Sequence, residues 1–193
     1  MQIYSFSPFG YEDQNMMLRN ALPSLQHPFG TDKLGRDILV RVMYGARISL
    51  AIGFATAAIN LFIGIVYGGI AGYVGGKVDM VMMRIIDIIY AVPSLLYVVL
   101  ILMVFGNSVK SMMIAICVTS WIQMARQVRT QVMALKEMEF ALAAKVLGAS
   151  NMRILMKHLI INALGPIIVC LTMMVPSAIF TESFLSFVGI GLD

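Results

Sequence analysis

From Ile48 to Gly76 the chain carries no charged residue. A helix needs roughly 20 consecutive apolar residues to cross the hydrocarbon core of a bilayer, and this run exceeds that. Inside lipid the backbone polar groups must bond to one another, which an α-helix achieves within a single segment. The composition points the same way: 60% of the residues are hydrophobic and only 12% are charged. A soluble domain carries about twice that charged fraction. The fold class expected is all-α, a multi-pass transmembrane helical bundle. The net charge of +4 does not point to nucleic acid, because the basic residues flank apolar runs and form no basic face. Their expected partner is membrane lipid, at the headgroup level.

Residues 1–33 are polar and punctuated by Pro8, Gly10, Pro23, Pro28 and Gly30, and are expected as an irregular extracytoplasmic segment. No basic start followed by an apolar core marks a secretory signal there. In residues 34–47, Leu34, Ile38, Val42 and Ala46 recur at helical spacing, and Asp37 and Arg41 are four apart and able to pair. An interfacial helix and a charged extension of the first span both fit this pattern. The transmembrane domain is expected over 48–193. Gly64, Gly68, Gly72 and Gly76 are each four apart, with Asn60 and Thr56 continuing the row. Small residues at this spacing form a smooth ridge for close helix packing; the same ridge can also border a substrate path. Ile88–Val109 is a second uncharged run, with Pro93 as a tolerable kink. Ser111–Ala125 is a third, lengthened by residues 107–110, and His158–Thr181 a fourth, with Pro166 and Pro176. About four spanning helices are therefore expected.

Between the third and fourth runs, residues 126–157 carry Arg126, Arg129, Lys136, Lys145, Arg153 and Lys157. The positive-inside rule places this loop in the cytoplasm. Alternation then puts the 77–84 turn inside, and Lys110 and the N-terminal segment outside. Eight basic residues fall inside and six outside, so the bias is modest. A chain with this topology is expected to be partial, short of a helix at each end.

Residues 136–150 read KEMEFALAAKVLGAS. Phe140, Ala143, Ala144 and Leu147 share one helical face. Glu137 and Glu139 near the start and Lys145 near the end suit the helix dipole. Gly148 is placed to end the helix, and Ser150 or Asn151 to cap the next one. So short a helix cannot bury its own apolar face. A groove on a partner protein, its own membrane domain, or lipid must cover it.

The string EFALAAKVLGASNMRILMKHLIINALGPIIV closely resembles the cytoplasmic-loop signature of importer permeases of the ATP-binding cassette class. HPFGTDKLGRDILVRVMYGARISL, GGKVDMVMMRIIDIIYAVPSLL and ESFLSFVGIGL resemble signatures of the dipeptide/oligopeptide/nickel branch, C-type subunit. The resemblance runs from about His27 to Leu192. It implies a transmembrane permease subunit in a prokaryotic plasma membrane, forming a path for di- or oligopeptides, or for nickel or another small solute. Its implied partners are a second permease subunit, two cytoplasmic ATPase subunits and an extracytoplasmic solute-binding protein. The implied ATPase-docking residues are Glu139, Phe140, Ala143, Ala144, Leu147, Gly148 and Ala149. The family often has glutamate directly before the paired alanines and proline before the next helix's asparagine; here Leu142 and Ile161 stand there. ATP hydrolysis would belong to the partners, and the chain has no GxxxxGK[ST] phosphate loop.

No catalytic, metal or cofactor constellation stands out. Cys117 and Cys170 lie in apolar runs without metal-ligand spacing. His158 reads as a structural or headgroup contact, with a proton relay as the sharper alternative. Asp87 and Glu182 are the carboxylates nearest the membrane, and Asp79 and Arg84 are placed to pair. The methionines read as adaptable filler. A proton-coupled carrier would need ionisable residues in mid-span and an internal repeat, and neither is seen. A non-transporting remnant that only assembles with partners is the third reading.

Overall fold

The computed structural model describes residues 8–190. Residues 1–7 of the N-terminal segment and 191–193, the end of the last motif, lie outside the described residues. The chain divides into two compact units, Met1–Ala51 and Ile52–Asp193. Among the described residues all regular structure is helical, apart from an isolated bridge between Thr31 and Asp37.

In the first unit the polar segment is irregular but densely hydrogen-bonded. Thr31 is its centre. Its hydroxyl donates to the Leu18 carbonyl and accepts from the Ala21 N–H at 2.9 Å, while its own N–H donates to the Ala21 carbonyl at 3.1 Å. The Asp32 carboxylate accepts the Leu34 and Arg36 N–H groups at 2.8 and 3.0 Å and pairs with the Arg36 guanidinium at 2.8 Å. Gly35, at φ +72°, closes this turn against the Asn15 backbone, leaving no room for a side chain. Asp37 precedes α1 (Ile38–Val74) as its N-cap, its carboxylate accepting the Val40 N–H at 3.0 Å. The same buried carboxylate meets His27 Nδ1 at 2.7 Å. The expected Asp37–Arg41 pair is therefore not formed, and Arg41 turns to Asp32 at 3.2 Å. A carboxylate at the N-cap is already engaged by backbone donors.

Residues 38–47 form the first turns of α1. The helix has 37 residues, about 56 Å at 1.5 Å per residue. In the second unit it packs on α4 (Val109–Leu135). A Cβ at Gly64 would strike the Met124 side chain, one at Gly68 the Ala125 carbonyl, and one at Gly72 the Arg129 carbonyl at 2.7 Å. The two helices thus approach at backbone distance along the glycine row, as small residues permit where lipid supplies no hydrophobic force between helices. Gly76 departs from the row. It opens α2 (Gly76–Tyr90) at φ +55°, and a Cβ there would meet nothing within 4 Å.

The second apolar run is broken, not kinked. α2 ends at Tyr90, Pro93 precedes α3 (Ser94–Phe105), and the two axes differ by 74°. Proline has no N–H to continue the ladder and disfavours helical geometry in the residue before it. α4 continues through Arg126 and Arg129 to Leu135, so the first part of the expected basic loop is helical. Then follow α5 (Glu139–Val146), α6 (Asn151–Arg153), a π-helical turn at Ile154–Leu159, α7 (Ile160–Asn162) and α8 (Leu164–Phe187). Ser150 takes the N-cap position before α6, without a side-chain cap bond.

The expectation of four spans is corrected here. Two helices, α1 and α8, are long and apolar enough by length and composition to cross a membrane, and three if α2 and α3 count as one bent span. α4 is long enough, but Ser, Thr, Gln123 and Arg126 dilute its apolar stretch. The main core of the second unit gathers Met124, Val128 and Val132 of α4, Ala141 and Ala144 of α5, and Leu155, Leu159 and Ile167 beyond.

Gly68→Leu is expected to abolish the α1–α4 contact, a loss of roughly 3 kcal/mol or more for overpacking against backbone. Detergent-extracted variant should elute largely as aggregate, whereas Gly45→Ala, at a helical glycine with open space beside it, should elute as the parent does. In the first unit, the Asp32 carboxyl loses hydration, yet the N–H groups of Arg36 and Leu34 and the Arg36 guanidinium together hold it below the ordinary value of 3.8. A depressed folded value means that this stabilisation is complete above about pH 4 and disappears as pH falls through the folded value. Hydrogen exchange of the 31–36 amides should accordingly be protected at pH 5 and lose that protection only at pH values below 3.8.

Candidate functional site

Two regions of the second unit combine shape with chemistry. The first is a cavity of about 750 Å³. α4 gives it one continuous wall, because Thr119, Gln123, Arg126 or Gln127, and Thr130 recur at three- and four-residue steps and share a face. α8 adds Ser177, Ala178 and Thr181, again at helical spacing, and α1 adds Asn60. The α2–α3 break supplies Tyr90 to Leu95 as its rim. Arg126 is the charged lining residue among those described. It pairs with Asp87 of α2 at 2.9 Å and lies 4.9 Å from the centre of the Tyr90 ring. A wall of hydroxyls and amides in an otherwise apolar helix bundle is a hydrated, hydrogen-bonding surface for a polar solute.

A second ion pair ties α2 to α4 near this cavity. Asp79 meets Arg129 in a two-pronged contact, Nη2 to Oδ2 at 2.6 Å and Nε to Oδ1. This replaces the expected Asp79–Arg84 pair: the first turn of α2 faces α4, and a planar guanidinium matches both carboxylate oxygens. The neighbouring Lys136 donates to the Gly72 carbonyl at 3.1 Å. Asp79 and Asp87 are therefore each committed to a separate arginine three residues from the other.

The second region is α5. Its eight residues have Glu139 in the first turn and Lys145 in the last, and Gly148 at φ +79° ends the segment. The face grouped from the sequence is split. Ala144 points into the core beside Ala141, and Ala149 is half-buried. Glu139, Ala143 and Gly148 are exposed, as are Phe140 and Leu142, while Val146 and Leu147 are each 86% exposed. The inward face is thus Ala141–Ala144, one residue out of register with the expected one. Its own domain covers the alanines, and the larger apolar side chains are left outside. A groove of about 450 Å³ lies along α5, with Tyr73, Lys136, Glu137, Lys145 and Asn151 in its lining. The Tyr73 hydroxyl donates to Asn151 Oδ1 at 2.9 Å, so the end of α1 is bonded directly to the start of α6.

The remaining candidates fall elsewhere. His158 lies in the π-helical turn, where its carbonyl accepts from Asn162 Nδ2 at 2.6 Å. Glu182 is buried in α8 and accepts from the Ser186 hydroxyl at 3.3 Å. Cys117 and Cys170 are free thiols, buried and half-buried. Among the described residues no three His, Cys, Asp or Glu side chains come together as a metal site. The cavity was missed in the sequence, although its signal was present: Gln123–Gln127 and Ser177–Thr181 are polar pairs four apart within apolar runs.

Comparison with known proteins places these features in context. A family model described as binding-protein-dependent transport system inner membrane component matches residues 64–193. The oligopeptide transport system permease protein OppC of Bacillus subtilis is 50% identical over 187 residues, covering 97% of this chain and 61% of that protein. The dipeptide transport system permease protein DppC of the same organism is 48% identical over 187 residues, covering 97% and 58%. The OppC protein of Escherichia coli K12 is 44% identical, covering 96% and 62%. The chain spans about three fifths of the length of these relatives.

Arg129→Ala would leave Asp79 buried and unpaired, which is expected to destabilise the protein by about 3 kcal/mol. Arg129→Lys should recover only part, since an ammonium cannot make the two-pronged contact. Thermal melting followed by size-exclusion chromatography in detergent should rank the proteins parent, Lys variant, Ala variant.

Proposed function

The chain belongs to the family of binding-protein-dependent transport system inner membrane components, and we infer from that membership that it is a permease subunit of an ATP-driven peptide importer. In this reading it sits in a prokaryotic plasma membrane as a multi-pass protein. It pairs with a second permease subunit above two cytoplasmic ATPase subunits, and an extracytoplasmic binding protein delivers the solute. The names of the relatives, oligopeptide and dipeptide transport permeases, favour peptides over nickel as cargo. ATP is hydrolysed on the partners. The cavity walled by α4 and α8 is this subunit's share of the translocation path, and α5, on the cytoplasmic side, docks into an ATPase cleft.

The observation that carries the coupling role is the division of α5 into two faces. Ala141 and Ala144 are built into the same core as α4, while Val146 and Leu147 are exposed on the other side. A partner gripping the outer face pushes on the core through the inner one. Small inward residues keep the helix close to α4 and the π-helical turn, so displacement is transmitted and not absorbed. Large apolar groups outward supply buried area to a groove. Such a contact is worth roughly 1.5–3 kcal/mol for each fully buried aliphatic side chain.

Replacing both Val146 and Leu147 by aspartate should therefore abolish co-purification with the ATPase subunits and ATP-dependent peptide uptake. The permease itself should still be extracted as a folded protein, because neither side chain belongs to its core. Ala144→Asp, in contrast, should reduce the yield of folded permease. ATPase subunits that co-purify undiminished with the double variant would remove α5 as the docking element.

A further inference from the structure

The side chain of Asn60 is 2% exposed, lines the α4–α8 cavity, and has a buried Oδ1 with no hydrogen-bond partner among the described residues. Its neighbours explain why. Nδ2 donates to the Ser120 hydroxyl oxygen at 2.7 Å, and that hydroxyl donates its one hydrogen to the Ile116 carbonyl at 2.7 Å. Ser120 therefore has no hydrogen left for Oδ1. A buried carbonyl oxygen without a donor is unfavourable in any protein interior, and native structures rarely retain one. Asn60 also sits in the row Thr56, Asn60, Gly64, Gly68 that packs on α4, and that packing offers Oδ1 no donor in this conformation.

We propose that Asn60 is a substrate-contacting residue, whose side-chain carbonyl accepts a main-chain N–H of a peptide in the cavity. This rests on the peptide-import reading. An acceptor requires a donor, and a peptide offers a main-chain N–H at each non-proline residue whatever its side chains. The lining fits that partner: hydroxyls and amides make up about half of it and apolar side chains most of the rest, and among the described residues a single charge, Arg126, is present and already paired with Asp87. Such a surface reads backbone and ignores side-chain charge. Oδ1 is out of reach of solvent in this conformation, so the contact forms when the helices around the cavity part and closes again after release. Ser120 is the positioning residue, since it fixes which Asn60 atom is left to the substrate.

The test uses the complete transporter, with its second permease, ATPase subunits and binding protein, reconstituted in liposomes. Uptake of trialanine is compared with uptake of trialanine N-methylated at one backbone nitrogen at a time. Expressing each result as the variant's preference divided by the parent's cancels discrimination by the binding protein. For Asn60→Leu, the preference for the unmethylated peptide should fall about fivefold at one nitrogen and stay unchanged at the others, the size of one neutral hydrogen bond. An unchanged preference at every nitrogen overturns the proposal. Lowered assembly of the subunits together with an unchanged preference also overturns it, and makes Asn60 a subunit contact. If Asn60→Leu does not assemble, Ser120→Ala decides by the same ratio. A fall at one nitrogen alone supports the proposal, and no fall overturns it. A parent transporter that takes up no peptide at all sinks the import reading and this inference with it, whereas uptake without the loss of preference sinks the inference alone.

Discussion

α1 and α4 touch at backbone distance, and the rest of the second unit is arranged around that contact. Gly64, Gly68 and Gly72 remove every side chain that would hold the helices apart. Once the axes are this close, side chains just off the row meet across the interface. Asn60 reaches Ser120, and Lys136 reaches the Gly72 carbonyl. In a bilayer the hydrophobic effect does little to drive helices together, so dispersion and a few polar bonds must do so. Both depend on proximity, which is why three glycines matter more than their size suggests.

α4 is the element on which the contacts of the second unit converge. Through Ala125 and Arg129 its backbone lies against the glycine row. Its Thr119–Thr130 face walls the cavity, and its Arg126 and Arg129 side chains hold α2 through Asp87 and Asp79. Its Val128 and Val132 enter the core that also receives Ala141 and Ala144 of α5. α5 and the cavity wall thus share one helix. The two ion pairs have different environments: Asp79–Arg129 is largely buried, whereas Asp87–Arg126 is open to solvent. The first anchors α2, while the second, exposed at the cavity rim, contributes little to stability.

Much of this was legible as pattern. The uncharged stretch from Ile48 foretold the long first helix, and the four-residue glycine spacing foretold its close packing face, except that Gly76 belongs to the next helix. Glu139, Lys145 and Gly148 delimited α5 from dipole and terminator chemistry alone. Partners were less legible. Asp37 was paired on paper with Arg41 and Asp79 with Arg84, by sequence proximity, and both carboxylates went to more distant groups, His27 and Arg129. The inward face of α5 was displaced by one residue, because periodicity defines a stripe but not which side of it the core lies on. The apparent span count fell because apolar runs were joined across Pro93 and bounded by charge, while the helices broke and extended by local backbone chemistry.

Local features of this chain were therefore settled by its own residues: helical segments from apolar length, breaks from proline and glycine, caps from aspartate and serine. These depend on interactions within about one helical turn, which a linear string displays. The cavity, the orphan carbonyl of Asn60 and the two-faced α5 were decided by tertiary packing. Each arises from groups brought together across tens of residues, where the distance between backbones, set by the Gly64–Gly72 row against α4, determines which side chains can meet.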